Sequence, residues 1–357
     1  MPRRSSAVRR VSTLLALSTA LTLAVPATRA AEAHTTLDRM VPAASTATAA
    51  RPALRTASPA PDADGYRWIS YFRALGGLGP ITRDATIEAQ EAAHIRYLAD
   101  HAEGCETDVH DELTAPAPGC AANPYATAAG KLAANNSNIT RLNADVPDRV
   151  AAQHWFTAGF HALTLLEPRL RSTGYAAYYT PDPAGSGSLP YRFTAAVDVY
   201  RGRTGTYRGQ TLAFPAPGAV SPLLGYTVGS ESPEPFRDSL PGLGCHSWGS
   251  LATVSAPIVV QWPVGSRSPG AQGAATITDL TAGRVLPTCA LTADDYPVGS
   301  LARTFLSGTN RVTQAALYYT DAPFQAGHRY RLTIGSEQVT SFATSPAARA
   351  FGEAGPR

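Results

Sequence analysis

The residues best suited to chemistry in this sequence are two histidines in different settings. His110 is followed directly by Asp111 and Glu112, so an imidazole stands beside two carboxyl groups. Imidazoles and carboxylates serve as general acids and bases, and both ligate zinc. His161 follows Ala158 by three residues, a spacing that places both on one face of a predicted helix. Either histidine could instead be structural, as a solvated loop residue or as a partner of the backbone.

Four cysteines form a second set, Cys105, Cys120, Cys245 and Cys289. Their number is even and no Cys-x-x-Cys spacing occurs, so disulfides are favoured over a zinc knuckle or a thioredoxin-like site. Three connectivities are open. Pairing of Cys105 with Cys120 and of Cys245 with Cys289 fits the division of the chain given below, and the first bond would close the loop that carries His110.

Residues 245–249 read Cys-His-Ser-Trp-Gly, one residue short of the Gly-x-Ser-x-Gly motif of serine hydrolases. That motif needs a strand–turn–helix context and a downstream acid and histidine. The surrounding sequence is rich in strand patterns, and Cys245 is expected to be oxidised. The sequence therefore does not favour a serine hydrolase.

The first 30 residues are typical of a secretory signal. Four arginines precede the uncharged run Leu14–Val25, and small residues follow it. The pair Arg9-Arg10 leaves a twin-arginine export route open. Removing residues 1–30 takes away five arginines and no acid, which changes the formal charge from +3 to −2. This charge argues against nucleic acid as a partner. The mature chain is predicted to be secreted, extracellular or associated with the cell wall, without a transmembrane segment.

The remainder of the chain changes character twice. Residues 31–62 are rich in Ala, Pro and Thr and predict a disordered linker. Residues 63–203 combine helical patterns with two strand-like runs and predict a mixed α/β domain. Its second helix begins after the N-cap candidate Asp84, and its third runs from Pro147 towards Phe160. The two strands are expected at Gly174–Thr180 and Tyr191–Tyr200.

In residues 204–345, short apolar runs alternate with turn residues, and no helical period is evident. This pattern predicts a β-sandwich. The run from Gly327 to Ile334, followed by 341–344, resembles the last hairpin of a bacterial Ig-like domain. Residues 346–357 are expected to form a flexible tail. The predicted strands are Pro257–Trp262, Ala274–Leu280, Ala315–Tyr319 and Tyr330–Ile334.

Short motifs between Tyr66 and Gly202 occur in the order and spacing of one known family. They are Leu78-Gly79-Pro80-Ile81, Ala92–Leu98, Trp155–Leu166 and Phe193–Val197. Together they resemble the CAP superfamily of SCP-like extracellular proteins, bacterial type. The resemblance implies an α-β-α sandwich with a cleft that holds two histidines and, in many members, two glutamates.

By this resemblance, His110 and His161 occupy the histidine positions of the cleft. Lys131 stands where many members carry the first glutamate, and Ala158 where others carry the second acid. A protonated lysine has no lone pair for a metal, although it can pair with a nearby acid. We therefore expect no cofactor, and zinc should bind His110 and His161 weakly or not at all. Asp111 and Glu112 complete the candidate cleft.

The missing glutamates favour a secreted, non-catalytic binding or interaction protein over an enzyme. Its partner would be a small ligand or a component of the cell envelope. The alternative is an extracellular hydrolase that uses His110 and His161 with an unidentified acid, and the sequence assigns no catalytic residue to it. His94 and His154 are expected to be structural or surface residues.

Overall fold

The computed structural model describes residues 54–56, 64–99, 109–113, 119, 121–144, 146–179, 193–243, 245–263, 274–307 and 314–348. The predicted signal and the predicted Cys105–Cys120 bond lie outside these residues, as does most of the predicted tail. The helices in the described part are α1 Asp64–Leu75, α2 Ala85–Ala99, α3 Ala128–Ala134, α4 Asp148–Thr157, α5 Gly159–Leu165 and α6 Leu301–Ser307.

The strands of the first half are β1 Leu54–Thr56, β2 Thr82–Arg83, β3 Ser137–Leu142, β4 Ser172–Thr173, β5 Tyr175–Tyr179 and β6 Phe193–Asp198. Those of the second half are β7 Leu212–Phe214, β8 Val220–Ser221, β9 Gly225–Thr227, β10 Thr253–Ser255, β11 Ile258–Trp262, β12 Ala275–Asp279, β13 Arg284–Leu286, β14 Thr288–Leu291, β15 Gln314–Thr320, β16 Arg329–Ile334 and β17 Glu337–Thr344. The strands predicted from apolar runs are confirmed as β5, β6, β11, β12, β15 and β16.

The first half is built on a four-stranded antiparallel sheet of order β1-β5-β6-β3. Side chains of a strand alternate between the two faces of a sheet, and both faces of β5 are buried. Ala176 and Tyr178 belong to a cluster with Ile95 of helix α2. Tyr175 and Tyr179 belong to the cluster that includes residues of helices α1, α4 and α5. Helices therefore cover both faces, and the predicted mixed α/β class is confirmed in this general form.

Two local signals shape the helices of this half. Asp84 accepts hydrogen bonds from the backbone N–H groups of Thr86 and Ile87, which confirms it as the N-cap of α2. The helix predicted to run from Pro147 towards Phe160 is in fact two helices, because Ala158 adopts an extended conformation between α4 and α5. The expectation that Ala158 and His161 share one continuous helical face was therefore wrong.

Strand β1 lies within residues 31–62, which the sequence predicts to be a disordered linker. Leu54, Arg55 and Thr56 pair with β5 and extend the first sheet at its edge. At least these three residues are thus structured, although the composition around them is that of a spacer.

The second half contains two larger sheets, of order β14-β15-β11-β7 and β13-β12-β16-β17-β8. Apolar residues of both sheets, among them Val259, Leu317 and Leu332, lie in one buried cluster. The last two strands, β16 and β17, form an antiparallel pair where the sequence predicts a hairpin. Helix α6 was not predicted, because its seven residues are too few to show a helical period.

The same buried cluster continues from the first half into the second. Phe156 lies 5.7 Å from Phe214 between ring centroids, and Phe160 lies 5.8 Å from Tyr296. The backbone N–H of Ala216 also donates to the carbonyl of Leu75 over 2.7 Å. The boundary at 203/204 stays a prediction, but the residues on either side of it share a core.

Cys245 and Cys289 form a disulfide with a Cα–Cα distance of 5.7 Å, which confirms the predicted pairing in the second half. The bond joins the short 3-10 helix His246–Ser250 to strand β14. Among the described residues, no helix combines the length and the apolar character that crossing a membrane requires.

Candidate functional site

His161 lies in the first turn of helix α5 and is held by an acid from the second half of the chain. Its Nδ1 is 3.0 Å from Oε2 of Glu231, whose side chain is completely buried, whereas the imidazole is 14 % exposed. The same oxygen accepts the backbone N–H groups of Phe160 and His161, at 3.1 and 3.3 Å. Glu231 thus satisfies the free N–H groups at the start of α5 and orients the His161 ring.

A tyrosine-rich polar cluster surrounds this acid. Tyr226, Tyr296 and Tyr319 are buried, and burial, followed by the charge of Glu231, raises the pKa of each hydroxyl well above its ordinary value. The Tyr296 hydroxyl donates to the carbonyl of Pro235 over 2.6 Å. These phenols therefore stay protonated and cannot act as bases near neutral pH.

His154, predicted to be structural or a surface residue, is buried behind His161. Its Nδ1 lies 2.7 Å from the hydroxyl of Thr140. Burial, and then the proximity of His161, lowers the pKa of His154 from 6.5 to about 3. A neutral His154 therefore places no positive charge behind His161.

His110 is half-buried and contacts the end of helix α3. Its Nδ1 is 2.7 Å from the backbone carbonyl of Ala134. Four residues further on, the Asn138 side chain donates to the backbone carbonyl of His161 over 3.0 Å. The two predicted cleft histidines therefore contact the last residue of α3 and the second residue of β3, respectively.

Glu112, predicted to complete the candidate cleft, contacts His94 of helix α2. Its Oε1 is 2.7 Å from Nδ1 of His94, with both side chains fully buried, and its Oε2 accepts the Thr127 N–H over 3.0 Å. Gly130 packs so closely on this carboxylate that an added Cβ would overlap it. Glu112 therefore anchors the loop of His110 onto α2 and α3, and His94 is a buried structural residue.

Asp111 and Lys131, the other two predicted cleft residues, form an ion pair with each other. Lys131 Nζ lies 3.1 Å from the Asp111 carboxylate, and the two side chains are 36 % and 28 % exposed. Exposed pairs of this kind contribute about 0.2–1 kcal/mol to stability. The pair nevertheless balances the positive charge of Lys131, as the sequence allowed.

The donors of the candidate cleft do not fit the zinc site of the family that the sequence resembles. A catalytic zinc needs three protein ligands in tetrahedral array. Glu112 is committed to His94 and Asp111 to Lys131, which leaves two imidazoles. Within the ranges that the structure describes, no group of three or more His, Cys, Asp or Glu side chains is arranged to hold a metal ion.

A further buried network, at Glu91 on α2, was not predicted from the sequence. Both carboxyl oxygens of Glu91 lie within hydrogen-bond distance of the Ser137 hydroxyl, at 2.7 and 2.8 Å, and Oε1 lies 3.1 Å from Nη2 of Arg201. The same guanidinium pairs with the buried carboxylate of Asp198. Burial, with Asp198 close by, raises the pKa of Glu91 from 4.5 to about 8.

Glu231 and Glu91 were missed because each contacts a residue that is distant in sequence, His161 and Arg201 respectively. Glu231 follows His161 by 70 residues, and no local pattern marks it as a histidine partner.

No protein-family model, curated protein or solved structure matches this chain.

Proposed function

We propose that this chain is a secreted, non-catalytic binding protein that combines a CAP-type domain with an Ig-like domain and holds a small ligand at His110 and His161. One observation carries the proposal. Every acid that the sequence offers beside His110 is already committed, Asp111 to Lys131 and Glu112 to His94. An imidazole whose neighbouring acids are committed elsewhere, as at His110, suits recognition better than proton transfer.

Both imidazoles are positioned through the corresponding ring nitrogen, Nδ1. Nδ1 of His110 is held by the Ala134 carbonyl, and Nδ1 of His161 by Glu231. A carbonyl or carboxylate at Nδ1 favours the tautomer that keeps its proton there, which leaves Nε2 as the acceptor or, once protonated, as a donor to an anion. Of the small apolar or anionic ligands that such a cleft could hold, this arrangement favours the anionic ones.

The test is binding of decanoate, a probe with an apolar chain and a carboxylate, by calorimetry on the full chain. His110→Ala and His161→Ala should each weaken binding about tenfold, the loss expected for one charge-assisted hydrogen bond. His246→Ala is the matched control, since His246 is also half-buried and holds a backbone carbonyl, that of Ser239, through Nδ1. Absence of binding, or binding that neither cleft substitution weakens, would contradict the proposal.

A second candidate function is the extracellular hydrolase, which the His161–Glu231 pair favours. A carboxylate that holds Nδ1 of a histidine is the arrangement by which hydrolases orient a general base. Glu231 would be the acid that sequence reasoning left unidentified, and water the nucleophile. Hydrolysis of p-nitrophenyl acetate that falls at least tenfold in both His161→Ala and Glu231→Gln, but not in His246→Ala, would favour this candidate over the binding protein.

A further inference from the structure

An aromatic and basic surface lies on helices α1 and α4, outside the candidate cleft. Trp68 and Tyr71 form an edge-to-face pair with ring centroids 5.6 Å apart and planes at 82°. Tyr71 is 40 % exposed, and Trp68 is half-buried. The two rings therefore present flat apolar faces at nearly a right angle.

Two exposed arginines flank this pair from different helices. The guanidinium carbons of Arg67, on α1, and Arg149, on α4, lie 5.9 and 5.8 Å from the Trp68 ring centroid. In the described part of the chain, neither arginine forms an ion pair with an acid. Two like charges are thus gathered on one indole, and among the described side chains no acid pairs with either.

Some arginines of this fold are neutralised by a carboxylate. Arg83 pairs with Glu88, and Arg169 pairs with Glu167. An arginine that lies over an aromatic ring uses its flat face and keeps its N–H groups free at the edges. Those N–H groups match the two oxygens of a carboxylate in a bidentate pair.

We propose that Arg67, Trp68, Tyr71 and Arg149 form a binding surface for an acidic polysaccharide. The carboxylates of the polymer would pair with the two guanidiniums, and the C–H faces of its sugar rings would pack on the aromatic pair. An acid-rich peptide would satisfy the charges but would leave the rings uncovered. A membrane would need a broad apolar area, whereas Tyr71 is the only large apolar residue of α1 and α4 that is exposed.

Binding of the full chain to immobilised polygalacturonate, measured by interferometry, tests this surface. Methyl-esterified polygalacturonate supplies the same sugar rings without the charge. We expect binding to the acid form that weakens with added salt and is at least tenfold weaker for the ester. Arg67→Gln and Arg149→Gln should each weaken binding about threefold, and together about tenfold. Tyr71→Ala should weaken binding to the acid form about as much as one arginine substitution does, about threefold.

Arg329→Gln is the matched control, because Arg329 is exposed on β16 and pairs with no acid among the described residues. Its binding should equal that of the unmodified chain. The proposal is overturned if the ester binds as tightly as the acid form, or if the double arginine variant binds normally. It is also overturned if poly-L-glutamate or phosphatidylglycerol vesicles bind equally well through the same arginines. The cleft variant His161→Ala should bind normally, which separates this surface from the proposed function.

Discussion

Substitution of Glu91 by glutamine should change how the stability of the protein depends on pH. Glu91 is completely buried and shares the guanidinium of Arg201 with the buried carboxylate of Asp198. One cation cannot fully compensate two desolvated carboxylates, so one of them retains a proton. Burial raises the pKa of Glu91 to about 8, which identifies it as the protonated partner at neutral pH.

The sign follows from proton linkage. A carboxyl whose pKa is raised on folding stabilises the native state fully below its unfolded value of 4.5, and this contribution is lost as the pH rises towards 8. At about 1.4 kcal/mol per pKa unit, the loss has a ceiling of about 5 kcal/mol. Relaxation and water penetration reduce such penalties, so we expect about 2 kcal/mol. Glutamine mimics the protonated acid, so Glu91→Gln should not show this loss.

Urea unfolding followed by tryptophan fluorescence between pH 5 and pH 9 would measure the effect. The difference in free energy of unfolding between Glu91→Gln and the unmodified protein should rise by about 2 kcal/mol over this interval, in favour of the variant. Glu337→Gln, an exposed glutamate on β17, should show no such rise. A difference that does not vary with pH would show that Glu91 is ionised throughout and that the reasoning is wrong.

Three further outcomes follow from the structure. Gly130→Ala should push Glu112 off His94 and lower the free energy of unfolding by about 3 kcal/mol in urea unfolding, whereas Gly79→Ala, where an added Cβ meets open space, should change it little. The His154 imidazole, with its pKa lowered to about 3, should show no protonation by NMR from pH 8 to pH 5; a midpoint near 6.5 would contradict its burial. Replacing Cys245 and Cys289 together by serine should cost about 3 kcal/mol in urea unfolding, and non-reducing peptide mapping should link these two cysteines and, separately, Cys105 to Cys120.

Local sequence patterns predicted much of this fold, because local physics determines those features. Asp84 caps α2 through its own side chain, and the apolar run of β11 is buried along its whole length. Patterns failed where a distant residue overrides the local preference. The run through Ala158 has a helical pattern, but Glu231 accepts the N–H groups of Phe160 and His161 and starts a new helix there.

The candidate site shows the same limit. Asp111 and Glu112 follow His110 directly in the chain, so their closeness to His110 could be predicted from the sequence. The sequence could not show that successive side chains of this loop point to different partners, Asp111 to Lys131 and Glu112 to His94. The direction of a loop side chain depends on what packs against it. Here the Glu112 carboxylate packs on Gly130 of helix α3, where any larger residue would overlap it.

The core shared by the two halves bears on how the molecule could be shortened or recombined. Separation at residue 203 would expose the rings of Phe156 and Phe160 to water and remove Glu231 from His161. The two halves are therefore not interchangeable modules. Their unfolding should be a single cooperative event, and a gene fusion that exchanged the second half would have to reproduce an acid at the position of Glu231.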